Sequence, residues 1–167
     1  MVIIKPHMAG DIERLTAIYA QSFSGMQREI DMYDWFTCNI RAYPRMQHFV
    51  ASQEEEIYGY ILWTEHGGFR KQATFELEQI AVDSNLRNQG IGTKLIERSL
   101  DMIMECLEQR CSVLENVLVT TGVENHAKVI YLKTIGRRSA HVQEKVIENL
   151  YRGDEVVLIF RGPFTKR

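Results

Sequence analysis

Residues 79–96 read QIAVDSNLRNQGIGTKLI, and this stretch decides the fold. An apolar run that is typical of a β-strand ends at Val82, a polar loop follows, and an amphipathic helix begins after the loop. Gly90 and Gly92 lie in the loop, where the absence of a Cβ lets the backbone come close to a ligand. A glycine-bearing loop that opens a helix also directs backbone N–H groups and the positive end of the helix dipole at one point. The stretch therefore predicts a cradle for a phosphorylated ligand such as a pyrophosphate.

Two common phosphate-binding loops do not fit this stretch. A Walker A loop needs Gly-Lys-[Ser/Thr], whereas Gly92 is followed by threonine and then lysine. A dinucleotide fingerprint needs a third small residue at position 95, which is Leu95 here. What fits is Arg87-x-x-Gly90-x-Gly92 between a strand and a helix. The alternative is a strand-to-helix turn that needs glycine for geometry alone.

Length, composition and charge predict one globular domain over residues 1–167. A chain of 167 residues with 45% hydrophobic and 25% charged residues is ordinary for such a domain. The net charge of −2 gives no broad basic surface for nucleic acid. No apolar run approaches the roughly 20 residues that span a bilayer, and the N-terminal segment lacks a signal-peptide pattern. We therefore expect neither a nucleic-acid partner nor a membrane partner.

Cysteine and histidine usage bears on the compartment and on metals. The cysteines Cys38, Cys106 and Cys111 are odd in number and lack Cys-x-x-Cys spacing. This usage predicts free thiols in a reducing, cytoplasmic setting. The five histidines are scattered along the chain, so we expect no metal site.

Hydrophobic periodicity predicts the order strand, helix, helix, three strands, helix, strand, helix and two strands. Asp11 is predicted to cap the first helix and Gly136 to end the last one. The helix after the glycine loop should bury residues 96, 100, 103 and 107. The predicted strands cover 2–5, 48–51, 57–63, 74–82, 117–119, 142–147 and 156–160, and the other helices cover about 12–23, 28–43 and 125–134.

This order and the loop together resemble the GCN5-related N-acetyltransferase (GNAT) superfamily. The acyl-CoA loop of that superfamily has the signature [Arg/Gln]-x-x-Gly-x-[Gly/Ala], which Arg87, Gly90 and Gly92 match, and Ile-Ala-Val-Asp precedes it here. The resemblance covers nearly the whole chain and implies an α/β (α+β) fold. In that fold, helices flank a mixed, mostly antiparallel sheet that is splayed near its middle.

The resemblance implies acetyl-CoA as the acyl-donor co-substrate and no metal. The pantetheine arm would pair with the strand edge of Ile80, Ala81 and Val82, where a backbone N–H would polarise the thioester carbonyl. Asn125, at the start of the last predicted helix, either caps that helix or contacts the cofactor. The pyrophosphate would be held by Arg87, Asn88, Gln89, Gly90, Ile91, Gly92 and Thr93.

Two glutamates before this edge are the candidates for a general base. A primary amine is protonated at neutral pH, so it must lose a proton before it attacks a thioester. Unless a β-bulge intervenes, strand alternation puts Glu76 and Glu78 on one face with Ile80 and Val82. Two neighbouring carboxylates raise the pKa of at least one. Relatives often carry a glutamate at the position of Glu76, whereas Glu78 is nearer the expected reaction centre. We place Glu78 first, and the choice stays open because at least one of them can be a solvated surface charge.

Many relatives carry Asn-x-x-Ala-x-x-x-Tyr-x-Lys-x-Gly on the helix after the fifth strand, and its tyrosine protonates the departing thiolate. Here Ala127 and Tyr131 keep the spacing of four. Asn125 is one residue too close to Ala127, and Gly136 is one residue too far from Tyr131. One residue on a helix is a rotation of about 100°. Tyr131 is therefore the candidate general acid, with a packed or surface tyrosine as the alternative.

The sequence thus predicts an N-acetyltransferase that moves an acetyl group to a primary amine by direct attack in a ternary complex. The alternative is a non-catalytic module that binds acetyl-CoA as a sensor or structural ligand, and a mononucleotide-binding regulatory domain is more distant. The acidic residues Asp31, Asp34 and Glu65 of the expected acceptor cleft could attract a cation. Polyamines, aminoglycosides, amino acids, and peptide or protein amines stay open as acceptors. Exposed edge strands near the C-terminus would allow a homodimer.

Overall fold

A computed structural model describes residues 1–23, 29–151 and 153–166. Seven β-strands and four α-helices follow the predicted order within these ranges, and none of the helices there is long and apolar enough to cross a bilayer. The predicted start of the second helix, Arg28, lies outside the described residues. The strands are β1 (Ile3–Pro6), β2 (Met46–Gln53), β3 (Glu56–His66), β4 (Gln72–Val82), β5 (Val113–Gly122), β6 (His141–Ile147) and β7 (Glu155–Arg161). The helices are α1 (Ile12–Ser22), α2 (Glu29–Arg41), α3 (Ile91–Gln109) and α4 (Ala127–Thr134).

The strands form one sheet in the order β1-β2-β3-β4-β5-β7-β6. β1 pairs antiparallel with β2, and β7 pairs antiparallel with both β5 and β6. β4 pairs parallel with β5 from Gln72 opposite Val113 to Leu77 opposite Val119. The predicted fold class, a mixed and mostly antiparallel sheet with flanking helices, is confirmed.

The chain divides into two compact units. The first contains residues 1–63 and 79–99, and the second contains residues 64–78 and 100–167. β3, β4 and α3 each contribute residues to both units. The prediction of a single domain over residues 1–167 stays a prediction.

Amphipathic helices supply most of the core of the first unit. The apolar positions of α1 recur at helical spacing, so they lie on one face of the helix, and the structure buries that face as the sequence predicts. Aromatic and aliphatic side chains of α2 and the strands complete the cluster. Its buried members are Ile12, Leu15, Ile18, Tyr19, Met32, Phe36, Val50, Ile57, Tyr60 and Ala81.

In the second unit, side chains alternate between two faces of the sheet formed by β4, β5 and β7. One face is buried, with Phe75, Leu77, Val117, Val119, Leu158 and Phe160. The residues between them, which include Glu76, Leu118, Thr120 and Ile159, are only half-buried. The predicted buried positions of α3, which are Ile96, Leu100, Ile103 and Leu107, are buried in the structure. The half-buried face carries the candidate carboxylates.

Two predicted helix ends differ from the structure. The carboxylate of Asp11 does not cap α1, because the chain enters the helix through a 3-10 turn, Ala9–Asp11. The Asp11 Oδ2 atom instead accepts a hydrogen bond from the Met8 N–H at 2.6 Å. α4 ends at Thr134, close to the predicted position, but Gly136 is not left-handed and begins a 3-10 turn, Gly136–Arg138.

Candidate active site

The loop between β4 and α3 is held by hydrogen bonds within the first unit. Asp83 follows β4, and its Oδ1 accepts a hydrogen bond from the Asn85 N–H at 2.9 Å. A short 3-10 turn, Ser84–Leu86, follows, and the Ser84 N–H donates to Oε1 of Gln21 on α1 at 3.2 Å. α3 begins at Ile91. The predicted strand–loop–helix arrangement is therefore present, and the protein itself fixes the shape of the loop.

The two glycines of the loop differ in what their positions require. Gly90 has φ +77°, a left-handed conformation that side chains adopt only at a cost. Gly92 has no such conformation, and a Cβ built there would lie 4.0 Å from both Ile80 Cδ1 and Val82 Cγ2. Backbone geometry therefore explains glycine at position 90, but neither geometry nor packing explains glycine at position 92. Position 92 is in the first turn of α3, where backbone N–H groups have no partner within the helix and can bind an anion.

Arg87 is exposed, and its side chain also makes hydrogen bonds with the protein. Its Nε donates to the carbonyl oxygen of Val82 at 3.2 Å, and its Nη2 donates to the Ser22 hydroxyl at 3.1 Å. Arg87 therefore ties the loop to the end of β4 and to the end of α1. The other predicted phosphate-binding residues differ in exposure: exposed Asn88 and Gln89, half-buried Thr93 and buried Ile91.

The predicted strand edge depends on a glycine that the sequence analysis missed. Ile80 and Val82 are half-buried at the end of β4, and Ala81 is buried. A Cβ at Gly59 on β3 would lie only 2.7 Å from the Ala81 carbonyl oxygen and 3.2 Å from the Val82 Cα. Glycine at position 59 therefore allows β3 to approach this edge. A glycine inside a strand pattern is a signal of such a close approach.

Glu76 is held by two partners in the second unit. His66, the last residue of β3, places its Nε2 atom 2.8 Å from Oε2 of Glu76. The Thr120 hydroxyl on β5 donates to Oε1 of Glu76 at 3.2 Å. Both carboxylate oxygens of Glu76 are therefore engaged. His66 carries no motif signal, so sequence reasoning missed it.

Glu78 lies two residues further along β4 and differs from Glu76. Its side chain is exposed, and among the described residues no hydrogen-bond partner contacts its carboxylate. Partial desolvation and the neighbouring charge of Glu76 raise the pKa of Glu78, while His66 acts to lower it. Of the two predicted candidate bases, Glu76 is thus engaged by two side chains, and Glu78 has no hydrogen-bond partner among the described residues.

Asn125 acts as the turn residue before α4. Its Oδ1 accepts a hydrogen bond from the Ala127 N–H at 2.9 Å, and its Nδ2 donates to the Thr121 hydroxyl at 2.8 Å. These hydrogen bonds hold the turn that leads into α4, whose N-cap residue is His126, and the contact of Asn125 with the cofactor stays a prediction.

Tyr131 is buried on α4, with only 6% of its surface exposed. Burial raises the pKa of its phenol to about 12. Because of this pKa, the hydroxyl keeps its proton at neutral pH. No described residue makes a hydrogen bond with the hydroxyl.

Glu65 cannot attract a cationic acceptor in the way the sequence analysis expects. It is only 2% exposed and forms an ion pair with Arg110 at the end of α3. The Arg110 guanidinium in turn lies 5.1 Å from the centroid of the Phe69 ring. The expectation was wrong because Glu65 is on the buried side of β3 and already has a counter-ion.

Among the described residues no cluster of three or more histidine, cysteine, aspartate or glutamate side chains could hold a metal.

A family model described as the acetyltransferase (GNAT) family matches residues 12–136. The chain belongs to this family. The matched range includes the glycine loop, both glutamates of β4 and Tyr131. Members of the family use acetyl-CoA to acetylate an amine. No match was found among curated proteins.

Solved structures of acetyltransferases share the fold over nearly the whole chain. One is the ribosomal-protein-S18-alanine N-acetyltransferase from Escherichia coli, at 18% identity and a TM-score of 0.70, covering 96% of this chain and 94% of that chain. Another is a chimera of the spermidine N-acetyltransferase SpeG from Vibrio cholerae with hSSAT, at 16% identity and a TM-score of 0.72, covering 96% and 95%. A third is the NatC complex bound to Gag peptide and CoA, at 17% identity and a TM-score of 0.68, covering 96% and 98%.

Proposed function

We propose that this member of the GNAT family is an acetyl-CoA-dependent N-acetyltransferase whose acceptor is a primary amine of a small molecule or peptide. One observation carries the proposal. Glycine at position 92 is required neither by backbone conformation nor by packing, but a phosphate group at the start of α3 would require it, because the backbone must then lie against the ligand. Residues 87–93 would hold the pyrophosphate, and the strand edge Ile80–Val82 would hold the pantetheine arm.

The side chains of the second unit suit the proton transfers of this reaction. Bound acetyl-CoA would supply an activated acetyl group for direct attack by the amine in a ternary complex. Glu78 or Glu76 would take a proton from the ammonium form of the acceptor, which has no free lone pair. Tyr131 would donate a hydrogen bond to the departing sulfur, because its phenol, with a pKa raised to about 12, is protonated at neutral pH. A backbone N–H of residues 80–82 would stabilise the developing oxyanion.

The acceptor is proposed only as a class. The fold neighbours named above are an alanine N-acetyltransferase of ribosomal protein S18, a spermidine N-acetyltransferase and a complex bound to Gag peptide. At 16–18% identity they support the fold and leave the acceptor open. Asp34 is exposed on α2 and Asp31 is half-buried there, so both stay candidates for attracting a cationic amine.

Release of free CoA thiol from acetyl-CoA tests the proposal directly. The purified chain would be assayed with polyamines, aminoglycosides, amino acids, and peptides with free N-termini or lysines. Gly92→Glu should abolish acetyl-CoA binding, measured by calorimetry, because it places bulk and negative charge at the proposed phosphate site. Gly10→Glu is the matched control, since a side chain at Gly10 meets nothing within 4 Å.

Each outcome of this experiment has a distinct meaning. Turnover with one class of amine would establish the enzyme and name its acceptor chemistry. Acetyl-CoA binding without turnover across the panel would favour the alternative, a non-catalytic acetyl-CoA sensor or structural module. Unchanged acetyl-CoA affinity in the Gly92→Glu variant would contradict the assignment of the loop.

Two further predictions accompany the proposed function. Cys38, Cys106 and Cys111 are free thiols, which supports a reducing, cytoplasmic location. Within the described part of the chain, β6 is an edge strand that pairs with β7 alone, and its other edge could pair with a second copy. Location and homodimer stay predictions.

A further inference from the structure

The two candidate bases on β4 have different surroundings within the second unit. Glu76 has both oxygens engaged, one by His66 at 2.8 Å and one by the Thr120 hydroxyl at 3.2 Å. Glu78 is exposed, and no described residue forms a hydrogen bond with it. A carboxylate that takes a proton needs a free lone pair that faces the donor. Glu78 meets this requirement with all of its lone pairs, whereas two lone pairs of Glu76 are occupied and its carboxylate is held in one orientation by His66 and Thr120.

Among the described residues, four strands contribute titratable or charged groups to this face of the sheet. β3 contributes His66, β4 contributes Glu76 and Glu78, and β5 contributes the neutral residues Asn116, Leu118 and Thr120. By register, Glu155 and Arg161 of β7 and His141 and Lys145 of β6 lie on the same face, two or more strands away from Glu76. Among the described residues of this face, His66 is the basic side chain that lies within hydrogen-bond distance of Glu76.

We propose that His66 is a positioning residue for proton transfer: together with Thr120 it fixes Glu76, and it leaves Glu78 as the carboxylate that accepts the proton of the attacking amine. The proposal rests on the proposed acetyltransferase function and goes further, because it divides the roles of two glutamates that the sequence could not separate. The opposite effects of Glu76 and His66 on the pKa of Glu78 agree with this arrangement.

Acetyl transfer removes two protons from the acceptor nitrogen. The ammonium nitrogen of the acceptor gives one proton to Glu78, and its freed lone pair forms the new C–N bond with the acetyl carbon. The electron pair of the C–S bond leaves with the sulfur. The second proton lost by the nitrogen balances the proton that the departing sulfur takes up, and Glu78 returns its own proton to solvent. His66 and Glu76 hold their contact throughout.

A titration of the carboxyl groups tests the proposal without an acceptor. The protein would be labelled with ¹³C-glutamate, and the resonances of the two residues would be assigned with Glu76→Gln and Glu78→Gln. In His66→Gln the titration of Glu78 should move to higher pH, because His66 acts to lower the pKa of Glu78. His141→Gln, an exposed histidine on β6, is the matched control and should leave the titration in place. An unchanged Glu78 titration in His66→Gln would overturn the proposal.

Kinetics with an amine that the acceptor panel identifies provide the second test. Glu78→Gln should lower kcat/KM by at least about 100-fold and remove the acidic limb of the pH profile, whereas Glu76→Gln should leave that limb present. His66→Gln should move the limb to higher pH, and Thr120→Val, which changes no charge, should not. Loss of the limb in Glu76→Gln with the limb retained in Glu78→Gln would reverse the roles and overturn the proposal. Acetyl-CoA affinity, measured separately by calorimetry, distinguishes this failure from failure of the proposed function.

Discussion

The guanidinium of Arg14 on α1 donates a hydrogen bond to the carboxylate of Asp83 at 2.6 Å, directly where β4 ends. Arg14 also donates from its Nε to the carbonyl oxygen of Ile57 on β3 at 3.0 Å. The Asp83 side chain is only 7% exposed, and it also accepts the N–H of Asn85. One arginine therefore connects a helix, a strand and the loop that would bind the phosphates, so the shape of that loop depends on α1.

Replacing Asp83 by asparagine should destabilise the protein in a pH-dependent way. The backbone N–H of Asn85 and then Arg14 hold the pKa of Asp83 below its ordinary value. A carboxylate with a lowered folded-state pKa stabilises the protein above its unfolded pKa, and this contribution is lost as the pH falls through the folded pKa. At neutral pH we expect Asp83→Asn to cost about 1–3 kcal/mol, measured by urea unfolding.

The difference between wild type and Asp83→Asn should shrink as the pH falls below about 4, where the carboxylate of an unperturbed aspartate is already protonated in the unfolded chain. Glu13→Gln, which removes an exposed acid from α1, is the control and should change the unfolding free energy little. A difference that stays constant down to pH 2 would show that the charge of Asp83 does not contribute.

Gly90→Ala and Gly92→Ala should separate the folding role of the loop from its binding role. Gly90→Ala places a side chain in a left-handed conformation and should cost about 1–2 kcal/mol of stability. Gly92→Ala meets no close atom and should leave stability unchanged or raise it by up to about 1 kcal/mol, because alanine favours a helix. Its acetyl-CoA affinity should nevertheless fall. Wild-type affinity in Gly92→Ala would mean that the backbone at position 92 does not contact the ligand.

The sequence predicted the elements and the loop because each of them rests on a local pattern. The buried faces of α1 and α3 follow from helical spacing, and the loop follows from two glycines between a strand and a helix. The side-chain partners rest on long-range contacts, which no local pattern contains. Arg87 contacts Ser22, and His66 contacts Glu76, so neither pair could be predicted before the strands were placed. Asp11 failed as a cap for a local reason, since a 3-10 turn precedes α1 and redirects its carboxylate.

Gly59→Ala should disturb the edge of β4 and the ligand site together. A Cβ at position 59 would lie 2.7 Å from the backbone oxygen of Ala81, and a backbone atom cannot rotate away as a side chain can. The strands would have to move apart, so we expect a loss of about 1–3 kcal/mol and weaker acetyl-CoA binding. Gly153→Ala is the control, because a Cβ there meets nothing within 4 Å. A melting temperature equal to that of wild type would contradict the close approach seen at Gly59.

His48 should make the stability of the protein depend on pH between about 6.5 and 4. The residue is 4% exposed on β2, and neither ring nitrogen has a hydrogen-bond partner among the described residues. Burial, and then the neighbouring His7, lower the pKa of His48 to about 3. Below its unfolded pKa of about 6.5, the unfolded chain binds a proton at this residue that the folded protein does not bind, so stability falls as the pH falls.

Replacing His48 by leucine removes this titration from the core of the first unit. Between pH 6.5 and 4.5, wild type should lose about 1–3 kcal/mol more of its unfolding free energy than His48→Leu loses, measured by urea unfolding at each pH. His141→Leu is the control, because His141 is exposed and its replacement should leave the pH dependence of wild type intact. The slope against pH is the informative quantity, since it does not depend on whether leucine packs better or worse than histidine at neutral pH. Parallel curves for wild type and His48→Leu would show that His48 takes up a proton equally in the folded and unfolded states.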